Sequence, residues 1–416
     1  MNKIQLSNNI NVIFKENKNT PRIALCFYMS LNNPEKKAGT HTLMNRLFLQ
    51  GTTNRSAEEI AQELDENAID CYSEMKYDYI KFKVLCLNED LPKALDILAD
   101  IIHNSHFNDL PKEIFKIKGE LLADLDSPKT MALDNYYKNL FKGSPYGNTY
   151  TKILEDVDGI TKDDIIEAYN KVISNSYKTI SVVGDFNVSF DDIKAKLETY
   201  FGKMQTWQQN TLPEKGLVLK ETDILEIAKD DAAQAQVIKG WMVPSIYSDE
   251  YPAFALLNTI LGSSGLSSRL FVELRDKKGL AYTVRSSYET YMQGASFNVY
   301  IGTDPKNIST ALTGFDVEIQ KLKDEPVSDE ELANAKNNII GKRLFFTETN
   351  IQQAGMMGLY EVEGLGYDYE KALIEKLRNV KKEDIQNVAL KYLCNTYILS
   401  LLAPKEYLKK LEPPVL

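Results

Sequence analysis

Two stretches of the chain carry one pattern of apolar and polar positions, 220 residues apart. "ITKDDIIEAYNKVISNSYKTISVVGD" (160–185) and "VKKEDIQNVALKYLCNTYILSLLAP" (380–404) each predict a capped amphipathic helix, a short polar turn and an apolar strand. Lys162-Asp163-Asp164-Ile165 falls on Lys382-Glu383-Asp384-Ile385, and Asn175-Ser176-Tyr177 on Asn395-Thr396-Tyr397. Upstream, "YIKFKVLCLNEDLPKALDILADII" (79–102) and "ASFNVYIGTDPKNISTALTGFDVEI" (295–319) both read as an alternating strand, a turn with Asp and Pro, and a helix. The helix in "GTHTLMNRLFLQG" pairs with "YPAFALLNTILGS" by order alone. A repeat this long marks a duplication.

Each half predicts strand, strand, helix, helix, strand, strand, two or three helices, strand. Period-two alternation implies an α+β fold of two duplicated domains, each a mostly antiparallel sheet with helices on one face. The sequence divides as 1–203, a linker at 204–220 that is polar and carries Pro213 and Gly216, and 221–416. "SAEEIAQELDENAI" opens with a capping box, Ser56 with Glu59.

Composition narrows the function classes. With 43% hydrophobic and 26% charged residues the chain is globular, and its net charge of −10 without a Lys/Arg block excludes nucleic acid as a partner. No apolar run has the roughly 20 residues of a membrane helix, and no leader is read at the start, so a cytoplasmic protein is expected. Cys26, Cys71, Cys86 and Cys394 form no C-x-x-C pair and read as buried free thiols. His103 and His106, at a helix C-terminus, suit the helix dipole better than a metal. No G-x-S-x-G elbow supports a serine hydrolase.

The candidate chemistry begins in "KKAGTHTLMNRLFLQGTTNR" (36–55). With the strands before it, this run resembles the N-terminus of the M16 (pitrilysin/insulinase, mitochondrial processing peptidase-like) family, which reads G-x-x-H-x-x-E-H-x-x-F-x-G-T. Such a helix presents two His ligands and a Glu base on one face. In the register set by Gly39 and Gly51-Thr52, those seats fall on Thr42, Asn45 and Arg46. His41 lies one residue early, roughly 100° around the helix. Starting the motif at His41 puts Met44 and Asn45 in the seats, which fails as well. In "IFKIKGELLADLDSP" (114–128), the family's distal ligand Glu falls on Asp124 and its neighbouring Glu on Ile117. The family's Asn-Ala edge-strand motif falls on Asp70-Cys71. Arg46 places a permanent cation where a neutral donor is required. No metal and no complete catalytic set are therefore expected in this chain. A metal site rebuilt from Asp124, Asp126 and His41 is the remaining enzymatic alternative.

The second half keeps what the first has lost. "LGSSGLSSRLFVELRDKKGLAYTVRSSYETYMQGASFNVYIGTDP" (261–305) resembles the family's S-S-R-L-F-x-x-L-R-x-x-x-G-L-A-Y motif. There an Arg and a Tyr seven residues apart hold substrate against the facing zinc domain, and here they are Arg275 and Tyr282. The resemblance implies the LuxS/MPP-like metallohydrolase fold and a two-domain M16B-type subunit of the non-catalytic kind. It implies no cofactor here and zinc only in a partner. The partner would be an H-x-x-E-H homologue closing on this chain around a peptide. The alternative is a homodimeric peptide-binding or scaffold protein. The acidic balance suggests a preference for basic peptides.

Overall fold

The computed structural model describes residues 2–31, 34–186, 189–206 and 216–408, so the middle of the predicted linker lies outside the described residues. The chain packs as two compact units, and these are not the two halves of the sequence. The first is Met1–Glu120, Ile153–Leu212 and Leu344–Glu370. The second is Leu121–Lys152, Pro213–Arg343 and Lys371–Leu416. The division at 204–220 is thus corrected in one respect. Each unit lacks one helical segment of its own half and holds the equivalent segment of the other.

The first unit is built on strands β1 (Asn2–Gln5), β2 (Asn11–Glu16), β3 (Arg22–Ser30), β4 (Asp70–Met75), β5 (Tyr79–Leu87) and β6 (Lys178–Gly184), in the order β1-β2-β6-β3-β5-β4. All neighbours are antiparallel except β2 and β6. The main helical layer lies on one face, as the alternation predicts. Phe27 of β3 meets Phe201 of helix Phe190–Phe201 at 5.0 Å, and Phe82 of β5 meets Phe48 at 5.0 Å. Successive strand residues point to opposite faces. Cys26, Tyr28 and Val183 therefore face away from this layer, yet they too are buried. Helix Asn350–Val362, from the other half of the sequence, covers them with Ala354, Met357 and Val362. Its Glu361 is a buried carboxylate that accepts hydrogen bonds from Lys3 Nζ (2.5 Å), Asn11 Nδ2 (3.1 Å), the Tyr177 hydroxyl (3.1 Å) and the Tyr367 N–H (3.1 Å). Four donors, one of them a cation, offset the cost of burying that charge.

The second unit repeats the plan with β7 (Asp223–Ala228), β8 (Ala235–Met242), β9 (Ala281–Tyr291), β10 (Gly294–Thr303) and β11 (Ile398–Ala403), in the order β7-β11-β8-β10-β9. Only β7 and β11 are parallel. Trp241 and Phe297 face the main helical layer, where Phe254 of helix Tyr251–Asn258 meets Phe297 at 5.1 Å. Helix Pro128–Leu140, from the first half of the sequence, covers the other face. Its Tyr136 hydroxyl lies 2.9 Å from Ser296 Oγ and donates to the Phe297 carbonyl at 3.3 Å.

The two covering helices are docked by equivalent contacts. Ser181 Oγ donates to the Ala354 carbonyl in the first unit (2.6 Å), and Ser400 Oγ to the Ala132 carbonyl in the second (2.9 Å). From these anchors the next layer can be aligned residue by residue. Tyr28 lies opposite Thr179, two residues before Ser181; Gly240 lies opposite Ile398, two residues before Ser400. Gly358 follows Ala354 by four residues, as Tyr136 follows Ala132. So the first unit sets a strand Tyr against a helix Gly, and the second sets a helix Tyr against a strand Gly. A Cβ on Gly358 would stand 2.5 Å from the Tyr28 ring, and one on Gly240 would overlap the Tyr136 hydroxyl.

The four cysteines are free thiols, but only Cys26 and Cys86 are buried. Cys71 is half-buried on β4 and Cys394 is exposed, because each sits where an element ends or meets solvent. Burial pushes the Cys26 thiol up to about 12.

Candidate functional site

Helix Thr40–Leu47 starts at Gly39, whose φ of 95° turns the chain into it. Glu35 closes its N-terminus, accepting from the Gly39 N–H (3.0 Å) and the His41 N–H (2.8 Å), where a carboxylate is favoured by the helix dipole. His41 is buried beside that carboxylate, with Nδ1 at 3.6 Å from Glu35 Oε2. Burial lowers its pKa, against the opposing pull of Glu35. The imidazole belongs to the packing of the helix start.

Thr42, Asn45 and Arg46 are half-buried. Thr42 Oγ1 lies 3.5 Å from Met75 Sδ, and Ser73 Oγ donates to the Asn45 carbonyl (3.1 Å), so this side of the helix runs along edge strand β4. Arg46 is clamped. Its Nε donates to Glu113 Oε2 (2.9 Å), and its two terminal nitrogens donate to the two oxygens of Glu120, both at 2.8 Å. Lys116 Nζ takes the remaining Glu113 oxygen at 2.6 Å. Glu113, Ile117, Glu120 and Asp124 share one face of helix Leu110–Leu125, spaced at three and four residues. Ile117 is buried and Asp124 is exposed.

These residues do not fit a zinc ion. At position 46, where the resemblance expects an imidazole, stands a guanidinium, and the acidic groups it meets are already neutralised by two cations. The hydrogen bonds that Arg46 donates to Glu120 raise its pKa further. Burial works to raise the Glu113 carboxyl, but Lys116 and Arg46 outweigh it and leave its pKa low. Among the described residues, no group of three or more His, Cys, Asp or Glu side chains is arranged to hold a metal. His103 Nε2 is spent on the Tyr200 carbonyl (3.0 Å), and His106 Nδ1 accepts from the Asn108 N–H (3.2 Å). Glu113 and Glu120 were missed by sequence reasoning. The signal was two glutamates seven residues apart on the helix that resembles the distal-ligand helix.

The segment around Arg275 is built differently. Two π-helical turns, Thr259–Ser263 and Phe271–Lys277, frame it, and such turns widen a helix to re-aim its side chains. A Cβ on Gly262 would stand 2.3 Å from the Ser286 nitrogen, so the first turn reaches β9 only because it carries a glycine there. The two arginines of "SSRLFVELR" have opposite fates. Arg269 makes a bidentate ion pair with Glu331, at 2.8 and 2.9 Å. Arg275 has no carboxylate partner among the described residues. Its guanidinium carbon lies 4.4 Å from the Phe271 ring centre and 4.9 Å from that of Tyr282, which the chain brings back at the start of β9. Tyr282 is 80% exposed. The pair lines an open hollow of about 440 Å³ with Gly262, Ser263, Gly265 and residues 283–287. A guanidinium held by aromatic stacking keeps all its N–H groups for an incoming carbonyl or carboxylate.

Comparison with known proteins agrees with this architecture. A family model described as insulinase (peptidase family M16) matches residues 12–152, and one described as peptidase M16 inactive domain matches residues 159–339. An uncharacterized zinc protease of Rickettsia felis is 28% identical over 386 residues, covering 90% of this chain and 89% of that protein. A protease from Helicobacter pylori has the same fold, with a TM-score of 0.86 at 20% identity over 97% of this chain and 99% of that one. A Pseudomonas fluorescens structure described as a peptidase M16 inactive domain gives 0.85 at 20% identity, covering 97% and 98%. No helix among the described residues is long and apolar enough to cross a membrane.

Proposed function

Because the chain belongs to the M16 (insulinase) peptidase family, we propose that it acts as a zinc-free subunit pairing with a zinc-bearing M16 homologue. It contributes peptide contacts through Arg275 and Tyr282. One contrast carries this reading. The arginine in the degenerate ligand seat, Arg46, is consumed by Glu113 and Glu120, whereas Arg275 is stacked, without an ion pair among the described residues and joined to an exposed tyrosine. The first arrangement stabilises a helix pair. The second leaves donors directed at an open hollow, as substrate positioning requires.

The test is co-expression with an H-x-x-E-H homologue from the same cell. The lone chain should hold less than about 0.1 zinc per molecule after dialysis and cleave no peptide, since a structural or catalytic site needs three or four good ligands. Peptide cleavage by the partner should rise when this chain is added. Arg275→Ala should cut that rise by about 100-fold, the usual scale for losing one preorganised donor. Tyr282→Phe should lower it less. Stoichiometric zinc together with cleavage by the lone chain would overturn the reading.

A second reading is a homodimeric peptide-binding or scaffold protein. It is favoured by β4, where Asp70 and Cys71 occupy the family's Asn-Ala positions on the strand beside the degenerate helix. A homodimer in solution that leaves the zinc-bearing homologue unbound would establish it.

A further inference from the structure

The hollow beside Arg275 is lined by Tyr282 and residues 283–287 in unbroken succession, although side chains alternate along a strand. That is possible because β9 is the outer strand of its sheet, and among the described residues no strand pairs with its free side. The hollow therefore runs along an open edge. Arg275 and Tyr282 border it from one face of the sheet, and Arg285 from the other. Beyond Arg285, its cross-strand neighbour Tyr300 carries the Lys129 ammonium at 4.9 Å over its ring.

None of the three cations has a carboxylate partner among the described residues, and no residue lining the hollow is acidic. The acids near them are engaged or lie elsewhere. Glu273 is paired with Lys277 (2.5 Å), Asp276 is exposed and outside the lining, and Glu289 receives the Tyr291 hydroxyl (2.8 Å). Glu289 also lies four residues beyond Arg285 on the same face of β9, roughly 13 Å along the strand. Elsewhere Arg46, Arg55, Arg269, Lys81 and Lys239 each have a carboxylate within 3.1 Å, while Lys178 and Lys336 are held by backbone carbonyls. In a chain of net charge −10 this edge is a local inversion. Burial and the neighbouring Arg285 charge hold the Lys129 ammonium below its ordinary pKa, as expected for cations lacking a counter-charge.

We infer that the open edge of β9 binds an extended acidic peptide, whose carboxylates are taken by Arg275 on one face of the sheet and by Arg285 with Lys129 on the other. An added strand presents its own side chains alternately to the two faces, so neighbouring acidic residues would reach both sets of cations. The inference rests on the reading of the Arg275 face as a peptide site, and it reverses the preference for basic peptides expected from net charge.

The test uses the purified full chain without any partner and fluorescence anisotropy with labelled decapeptides. Four probes share one neutral framework. One carries adjacent Asp and Glu with an amidated end, one carries Gln and Asn there, one is the Gln/Asn peptide with a free terminal carboxylate, and one carries Lys. The acidic amidated peptide should bind about tenfold more tightly than its neutral amidated counterpart, the scale of one charge-assisted bidentate contact. That advantage should shrink as salt rises from low to 0.3 M, where screening is nearly complete beyond about 6 Å. Arg285→Ala should remove most of the preference, and Arg285→Lys should keep part of it. Tight binding of the free-carboxylate peptide would assign recognition to a chain terminus, and its absence would assign it to side chains. Equal affinity for acidic and neutral probes, no binding of any probe, or a preference unchanged in Arg285→Ala would each overturn the inference. Failure to activate a zinc-bearing homologue would count against the subunit role alone, because this measurement contains no such partner.

Discussion

Gly358→Ala should lower the stability of the chain by about 3 kcal/mol, at the upper end of the usual cost of overpacking a core. The new Cβ would sit 2.5 Å from the Tyr28 ring and 2.7 Å from Ser181 Oγ. Neither neighbour can yield cheaply. Tyr28 is fully buried and donates its hydroxyl to the Gly355 carbonyl (2.6 Å), while Ser181 holds the Ala354 carbonyl. Chemical unfolding followed by fluorescence gives the loss. A second background identifies the contact responsible. In Tyr28→Ala the same glycine substitution should cost less than about 1 kcal/mol, a coupling that a double-mutant cycle reads directly. Equal costs in the two backgrounds would mean that the tyrosine is not what the glycine accommodates.

The second large effect is expected at Arg46. Arg46→Met should cost about 3 kcal/mol, because it leaves the buried Glu113 with a single cation, while the exposed Glu120 returns to water. Arg46→Met with Glu113→Met should recover much of that loss, since replacing a buried pair by apolar groups is often neutral while breaking it is not. The acid limb carries the same information. Glu113 has a lowered pKa in the folded chain, so its contribution is complete above the ordinary carboxylate value and disappears as pH falls through the lower folded one. Wild type should therefore lose more stability than Arg46→Met between pH 5 and the acid range, and the two curves should converge at the acid end. Parallel curves would show that the pair contributes nothing measurable.

The duplication and the antiparallel sheets were legible because each is a local pattern. Thr42, Asn45 and Arg46 were set in the ligand register by the resemblance around Gly39 and Gly51-Thr52, and the fixed charge of Arg46 argued against a metal before any contact was known. Its partners were not legible, because Glu113 and Glu120 lie 67 and 74 residues away and pairing depends on how two helices cross. The resemblance singled out Arg275 by its spacing from Tyr282, but that Arg269 is spent on Glu331, 62 residues away, could not be read from the sequence. The exchange of helices was hidden for a related reason. An amphipathic stripe shows that helices Pro128–Leu140 and Asn350–Val362 bury a face, but not which sheet each covers, where Gly240 receives Tyr136 and Gly358 receives Tyr28.

Those residues also bear on how the chain is made. The first sheet is complete once Gly184 has emerged from the ribosome, yet its cover, Asn350–Val362, follows only after roughly 10–35 s of further synthesis at ordinary rates. Meanwhile Pro128–Leu140 is already present and carries the same serine-accepting carbonyl at Ala132. Docked on the first sheet in the equivalent pose, it would set Tyr136 against Tyr28, two rings in the space of one. Such a clash would disfavour closure of the newborn half on its own helix and leave the place to the one that comes later.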